Sequence, residues 1–238
     1  MTTTLSAISG YLDAYLNSGR FPGDQNGIYR ASSRPIARIG LAVEPWPTIG
    51  EWVRRQRLDA LLLHRPWKLD LETLPAGVGV LAYHLAFDLS LTTGCNPRLA
   101  TALQVQGSPT PFAYKEGIAY GMFGDIAPTS LDNFAATLDD IFGATPKIET
   151  RFHEQVRRIA VVGAMTDAFV REAASHAIDL YITGQFRQPA RLAVQETGMN
   201  VAVVGHAPSE VWAIRALAGV LRERWLGLEV LLERKDFH

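Results

Sequence analysis

The sequence predicts an α/β fold with mostly parallel sheets, and three observations point there. Short apolar runs that read as buried strands alternate with amphipathic stretches of helical period. The alternation occurs twice, on either side of a segment between Gln106 and Ala127 that is rich in Gly, Pro and aromatic residues. Several apolar runs also end on histidine, at the edge where open α/β sheets place their binding sites.

Taken in order, Leu5 to Asn17 reads as a short amphipathic helix with Ile8, Tyr11, Leu12, Tyr15 and Leu16 on one side. Phe21 to Pro35, rich in Gly, Pro, Asp and Asn, reads as loop. Ala37 to Val43 is a strand, and Pro47 to Arg57 is a helix whose proline suits the first turn. Leu58 to His64 and Val78 to Tyr83 are strands, and Asp88 to Leu103 is helical apart from Gly94 and Pro97. The break at Gln106 to Ala127 sets the expected boundary between two lobes, residues 1–108 and 109–238, with the C-terminal segment free to pack on the first. Leu131 to Phe142 is a helix capped by Ser130. Ile159 to Val162, Leu180 to Thr183 and Val201 to Val204 are strands, Asp167 to Ala177 and Pro208 to Trp225 are helices, and Leu228 to Leu232 is a last strand. The halves share this coarse pattern, as two similar α/β lobes would.

Bulk properties exclude several classes. The chain has 238 residues, with 47% apolar and 20% charged residues, enough for a sizeable core. Its 23 basic and 24 acidic residues give no electrostatic reason to expect a long nucleic acid or an anionic membrane as partner. A single cysteine, Cys95, excludes an internal disulfide framework and thiolate-rich zinc, so any metal must use nitrogen and oxygen ligands. The start of the chain has neither the basic segment nor the apolar run of a signal peptide, and no apolar stretch nears the roughly 20 residues of a membrane span. A cytoplasmic location is the expectation.

Chemistry concentrates at three strand ends. His64 closes Leu61-Leu62-Leu63 and is followed by Arg65, a surface charge or a group for a phosphate or carboxylate. His84 ends the next strand, with Asp88 four residues on and so on the same side of a helix that starts promptly. His206 follows Gly205 at a third strand end, with Glu210 four residues further. Each has an ordinary structural reading too: a packed polar strand end for the histidines, a helix-start carboxylate for Asp88, a capping acid for Glu210. Gly163 to Asp167 reads as a tight strand-to-helix turn, since it lacks the lysine of a P-loop.

Together these segments resemble the Nif-three-like family of dinuclear metal-centre proteins, some of which are described as type 2 GTP cyclohydrolase I homologues. The likeness runs from about Arg38 to Leu232, through Leu62-Leu63-His64-Arg65, Ala82-Tyr83-His84-Leu85-Ala86-Phe87-Asp88 and Gly121-Met122-Phe123-Gly124-Asp125 with Ser130-Leu131. It continues through Ile159-Ala160-Val161-Val162-Gly163-Ala164, Asp179 to Gln185, and Gly205-His206-Ala207-Pro208-Ser209-Glu210. The resemblance implies two interlocked lobes with a metal site between them, assembled as a homo-hexameric ring. It puts His64, Asp88, His206 and Glu210 at metal-ligand positions; His84 and Arg65 are the candidates for catalytic roles, Arg65 as a group that binds a triphosphate. One or two divalent ions (zinc, iron, manganese or nickel) would serve hydrolysis of a small molecule, a nucleotide such as GTP being the candidate. The sequence departs from the family at Arg65, where a second histidine is usual, at Leu85 and Ala86, at Gln185, and at Pro189. A guanidinium cannot ligate a metal, so the number of ions per chain stays open. The alternatives are a non-catalytic ring-forming protein that binds a metal or a partner, and a metal-dependent phosphoesterase.

Overall fold

The computed structural model describes residues 3–233. The chain divides into two units: residues up to Phe87 together with those from Ile214 on, and Asp88–Ala213. Each unit is built around one mixed sheet.

The first unit opens with α1 (Leu5–Tyr15), capped by the Thr4 hydroxyl, which accepts from Ala7 N–H at 3.1 Å. Leu5, Ile8, Leu12 and Leu16 are buried as their spacing requires, whereas Tyr15 is exposed and Tyr11 packs edge-to-face on Trp225. The strands are β1 (Asn26–Arg30), β2 (Arg38–Ala42), β3 (Ala60–Leu63), β4 (Gly79–Tyr83) and β11 (Glu229–Leu232). Their order is β1-β4-β3-β2-β11, with β4, β3, β2 and β11 parallel and β1 antiparallel on the edge. Helix α2 (Ile49–Gln56) connects β2 to β3, and its Trp52 and Val53 are buried with Leu58, Leu61 and Leu63. The C-terminal segment thus returns to the first sheet through β11.

The expectation of a loop from Phe21 to Pro35 is corrected by β1. An edge strand made of Asn, Gly, Ile, Tyr and Arg shows no two-residue apolar alternation, because one side of it is unpaired and Ile28 itself is exposed. Gly27, at φ +98°, uses a backbone conformation that side-chain-bearing residues avoid. The strand matters because it sets Asp24 and Gln25 beside the end of β4.

Two short helices, α3 (Leu85–Leu91) and α4 (Pro97–Ala102), replace the single helix expected from Asp88. Buried Asn96 makes the break stable. Its amide nitrogen donates to Leu91 O and Thr92 O, closing α3, and its oxygen accepts from Arg98 and Leu99 N–H, opening α4. The segment Gln106 to Ala127, where the strand–helix alternation breaks, is mostly a hairpin of β5 (Thr110–Lys115) and the long β6 (Ile118–Ser130). Glu116 and Gly117 both adopt positive φ, the geometry of a two-residue turn between twisted strands. Helix α5 (Leu131–Phe142) starts from Ser130, whose hydroxyl accepts from Asn133 N–H. Then come β7 (Lys147–Thr150), β8 (Gln155–Val162), α6 (Asp167–Ser175), β9 (Leu180–Thr183), α7 (Arg191–Thr197) and β10 (Asn200–Val203), with α8 (His206–Arg224) leading back toward the first unit. The sheet order is β5-β6-β8-β9-β10-β7, with β8, β9 and β10 parallel. Between β8 and α6, Thr166 caps Phe169 N–H, the tight turn read from the sequence.

The two sheets repeat one local device. Helix α2 ends at Arg57 in the left-handed conformation, Leu58 N–H bonds to Val53 O, and Asp59 then enters β3 while its carboxylate accepts from Ala37 and Arg38 N–H at 2.9 and 3.0 Å. Helix α6 is followed by Ala177 in the same conformation, Ile178 N–H bonds to Ala173 O, and Asp179 accepts from Arg157 and Arg158 N–H at 2.7 and 2.9 Å. Each carboxylate thereby ties the start of one parallel strand to the start of its neighbour. Among the described residues no helix is long and apolar enough to cross a membrane.

Hydrogen bonds to a charged acceptor are worth about 1.5–3 kcal/mol each. Asp59→Ala and Asp179→Ala each remove two such bonds and should each lower stability by about 3 kcal/mol in urea unfolding. Wild-type unfolding midpoints in both variants would contradict the role given to these carboxylates.

Candidate metal centre

The site begins with the exit from β3. All four residues of that strand are buried, and His64, the next residue, is buried as well. Its backbone N–H bonds to Ala42 O at 3.2 Å, so the residue still follows the sheet. Its ring Nδ1 lies 2.9 Å from Tyr83 O, the last residue of β4. A carbonyl only accepts, so Nδ1 carries a proton, and in the neutral ring the lone pair is on the buried Nε2. Metal-binding imidazoles are held this way, with one nitrogen on a carbonyl and the lone pair of the other directed to the ion.

His84 follows β4 directly. Its backbone N–H donates to Gln25 O at 3.1 Å, and its Nδ1 pairs with Asp24 Oδ1 at 2.9 Å. The other Asp24 oxygen accepts from Leu85 N–H at 2.7 Å, at the start of α3. Burial raises the Asp24 carboxyl, but the hydrogen bond from His84 and those from the Leu85 and Gln25 amides outweigh it, and the net shift is downward from 3.8. A carboxyl depressed on folding adds stability above its unfolded value, and that contribution is lost as pH falls through the lower folded value. Asp24 therefore remains an anion throughout the range in which histidine titrates.

One turn along α3 stands Asp88. Its carbonyl accepts from Thr92 N–H and from the Thr92 hydroxyl, and its Oδ1 is buried. Ligand atoms of His64, His84 and Asp88 all lie within 4.8 Å of one another. Two atoms bound to one ion at about 2.1 Å lie at most about 4.2 Å apart. Small side-chain movements would thus close the group on a single ion, and two imidazoles with one carboxylate form a chemically suitable donor set. Rings pack around it: His64 lies 5.3 Å from His84 and 4.6 Å from buried Phe87, and Trp67 stands at 81° to His84 at 4.8 Å, all between centroids.

The other expected residues take these places. Arg65 donates from Nε to Glu44 Oε1 at 2.6 Å, so a carboxylate already engages its guanidinium. His206 and Glu210 pair with each other in the second unit, Nε2 to Oε1 3.0 Å, on the first turn of α8. The helix begins at His206, earlier than Pro208, because Gly205 turns the chain at φ +90°. Glu210 is buried while His206 is largely exposed, and Ser209 Oγ donates back to His206 O. Sequence reasoning did not find Asp24, Glu44, Phe87 or Trp67. Asp24 lay in a segment read as loop, and only its Asp-Gln-Asn-Gly composition marked it.

Fold and donor set define a two-unit α/β protein with a His/His/Asp cluster of metal-binding type at the carboxyl edge of a parallel sheet. The profile of the DUF34/NIF3 (NGG1p interacting factor 3) family matches residues 3–235, and the chain belongs to that family. A relative from Pyrococcus horikoshii, named GTP cyclohydrolase 1 type 2 homolog, is 27% identical over 234 residues, covering 92% of this chain and 93% of that protein. One of the same name from Pseudomonas aeruginosa is 25% identical, covering 94% and 95%. The fold is similar to that of TTHA1606 from Thermus thermophilus, at a TM-score of 0.76 and 24% identity over 99% of this chain and 100% of that one. Reduced HcgD from Methanocaldococcus jannaschii is similar at a TM-score of 0.72 and 16% identity, over 98% of each chain.

Partners that orient a ligand histidine typically contribute 10- to 100-fold to metal affinity. Asp24→Ala should weaken metal binding by roughly that factor in a chelator-competition titration. An unchanged affinity would show that the carboxylate has no part in holding His84 for a metal.

Proposed function

We propose that His64, His84 and Asp88 hold a divalent metal ion and that the protein is a metal-dependent hydrolase acting on a nucleotide. The observation that carries the reading is the convergence of the three donors, with each imidazole Nδ1 engaged by an oxygen so that Nε2 of the neutral ring carries the lone pair. Nitrogen and oxygen ligands suit zinc, iron, manganese or nickel. An ion held there would supply a water activated near neutral pH and would polarise the substrate. The chain's own residues prepare that chemistry. Tyr83 O sets the His64 tautomer, and Asp24 fixes the His84 ring and its tautomer. Arg65 offers a guanidinium to an anionic substrate in exchange for its ion pair with Glu44. His206 and Glu210 are the further ligands that the family resemblance implies, and the same resemblance implies a hexameric ring. The nucleotide enters by analogy with the names of the relatives.

The Glu44–Arg65 pair also favours a second reading. An anion must displace a carboxylate from Arg65, whereas a ring-forming protein that binds metal without catalysis needs no such exchange.

Two experiments separate these levels. Elemental analysis of the purified protein should give metal bound to the wild type and a sharp loss in His64→Ala and in Asp88→Ala; metal content unchanged in both would remove the ligand assignment. Incubation of the metal-loaded protein with GTP should yield a ring-opened product. No product, beside an active control enzyme, would remove the substrate and leave the metal reading in place.

A further inference from the structure

The surface beside the cluster carries a large ring that the proposed chemistry does not use. Trp67 lies three residues after His64, in a turn where Leu69 N–H donates to Pro66 O at 2.8 Å. It packs at nearly a right angle against the His84 ring, yet it is 55% exposed. Every other tryptophan among the described residues is buried or half-buried. Leu85, adjacent to His84, is also exposed and adds apolar surface. Large apolar side chains left in water next to convergent polar groups mark ligand sites, where the apolar part covers the ligand and the polar part orients it.

We propose that Trp67 is a stacking platform for a planar aromatic heterocycle, so that the ligand taken by this centre carries such a ring. The place of the ligand rests on the metal-centre reading above; the stacking contact itself needs only Trp67 in its packing on His84. An indole offers a flat face with negative π density, which pairs with another flat ring in offset stacking. A heterocycle can lay its face on the indole while its edge nitrogens and oxygens turn to the polar side chains of the cluster. An aliphatic ligand gains no comparable pairing. Base–aromatic stacking corresponds to roughly five- to 150-fold in affinity for each ring.

The test titrates guanosine 5′-monophosphate into the full, metal-loaded chain by calorimetry, with ribose 5-phosphate as the ringless control and elemental analysis of every sample. Wild type should bind the nucleotide more tightly than the control. Trp67→Ala should weaken nucleotide binding about tenfold or more, leaving control binding and metal content unchanged, and Trp67→Phe should recover most of the loss. Equal nucleotide affinity in wild type and Trp67→Ala would overturn the proposal, as would wild type that fails to distinguish the two probes. Metal lost from Trp67→Ala would overturn it too, because the indole would then serve only to support His84. If wild type holds no metal but the tryptophan-dependent difference persists, the hydrolase reading falls and the stacking platform stands.

Discussion

The parallel register of β3 against β4 is the constraint on which the candidate centre depends. Pairing Leu63 with Ala82 brings both strands to their carboxyl ends within one residue of each other, so His64 meets Tyr83 O and lies beside His84. A one-residue slip would turn the side chains of β4 to the opposite face and remove the acceptor that sets the His64 proton. The hydrogen bond between His64 and Tyr83 O therefore links the fold to the chemistry. It fixes the tautomer of a buried imidazole, so that the neutral ring offers a metal the lone pair of its second nitrogen.

The rest of the first unit serves that edge. Tyr83 is buried and its hydroxyl donates to Ser9 O and Asp13, tying β4 to α1; burial and then the nearby Asp13 carboxylate push that hydroxyl above its ordinary range, so it remains a donor. Asp59 aligns the starts of β2 and β3, and β1 delivers Asp24 to His84. The second unit repeats the scheme with Asp179 at the entry to β9 and with His206 and Glu210 after β10. Twice, at His84 with Asp88 and at His206 with Glu210, a histidine and a carboxylate four residues on follow a parallel strand into a helix. This likeness rests on the backbone conformation of Arg57 and Ala177 and on matching carboxylates, and so goes deeper than a shared order of elements.

The buried parallel strands were legible in the sequence because runs such as Leu61-Leu62-Leu63 and Ala160-Val161-Val162 are apolar on both faces. So was α5, whose Ser130 cap and apolar period agree. Elements with weaker patterns were not. β1 and β7 are edge strands with few buried residues, α7 is short, and the β5–β6 hairpin has the Gly, Pro and aromatic composition of a linker. At the site, the sequence pointed to strand-end histidines because polar rings there are unusual. It could not show that a backbone carbonyl and a carboxylate some 60 residues away fix their tautomers. Those partners are chosen by strand pairing, which a one-dimensional pattern does not contain.

The central claim is that three side chains share one ion, and anomalous diffraction from crystals grown with manganese or zinc tests it most directly. The account predicts an anomalous peak about 2.0–2.2 Å from Nε2 of His64, Nε2 of His84 and a carboxylate oxygen of Asp88. A peak elsewhere in the chain, or none at this cluster while the ion is bound in solution, would contradict it.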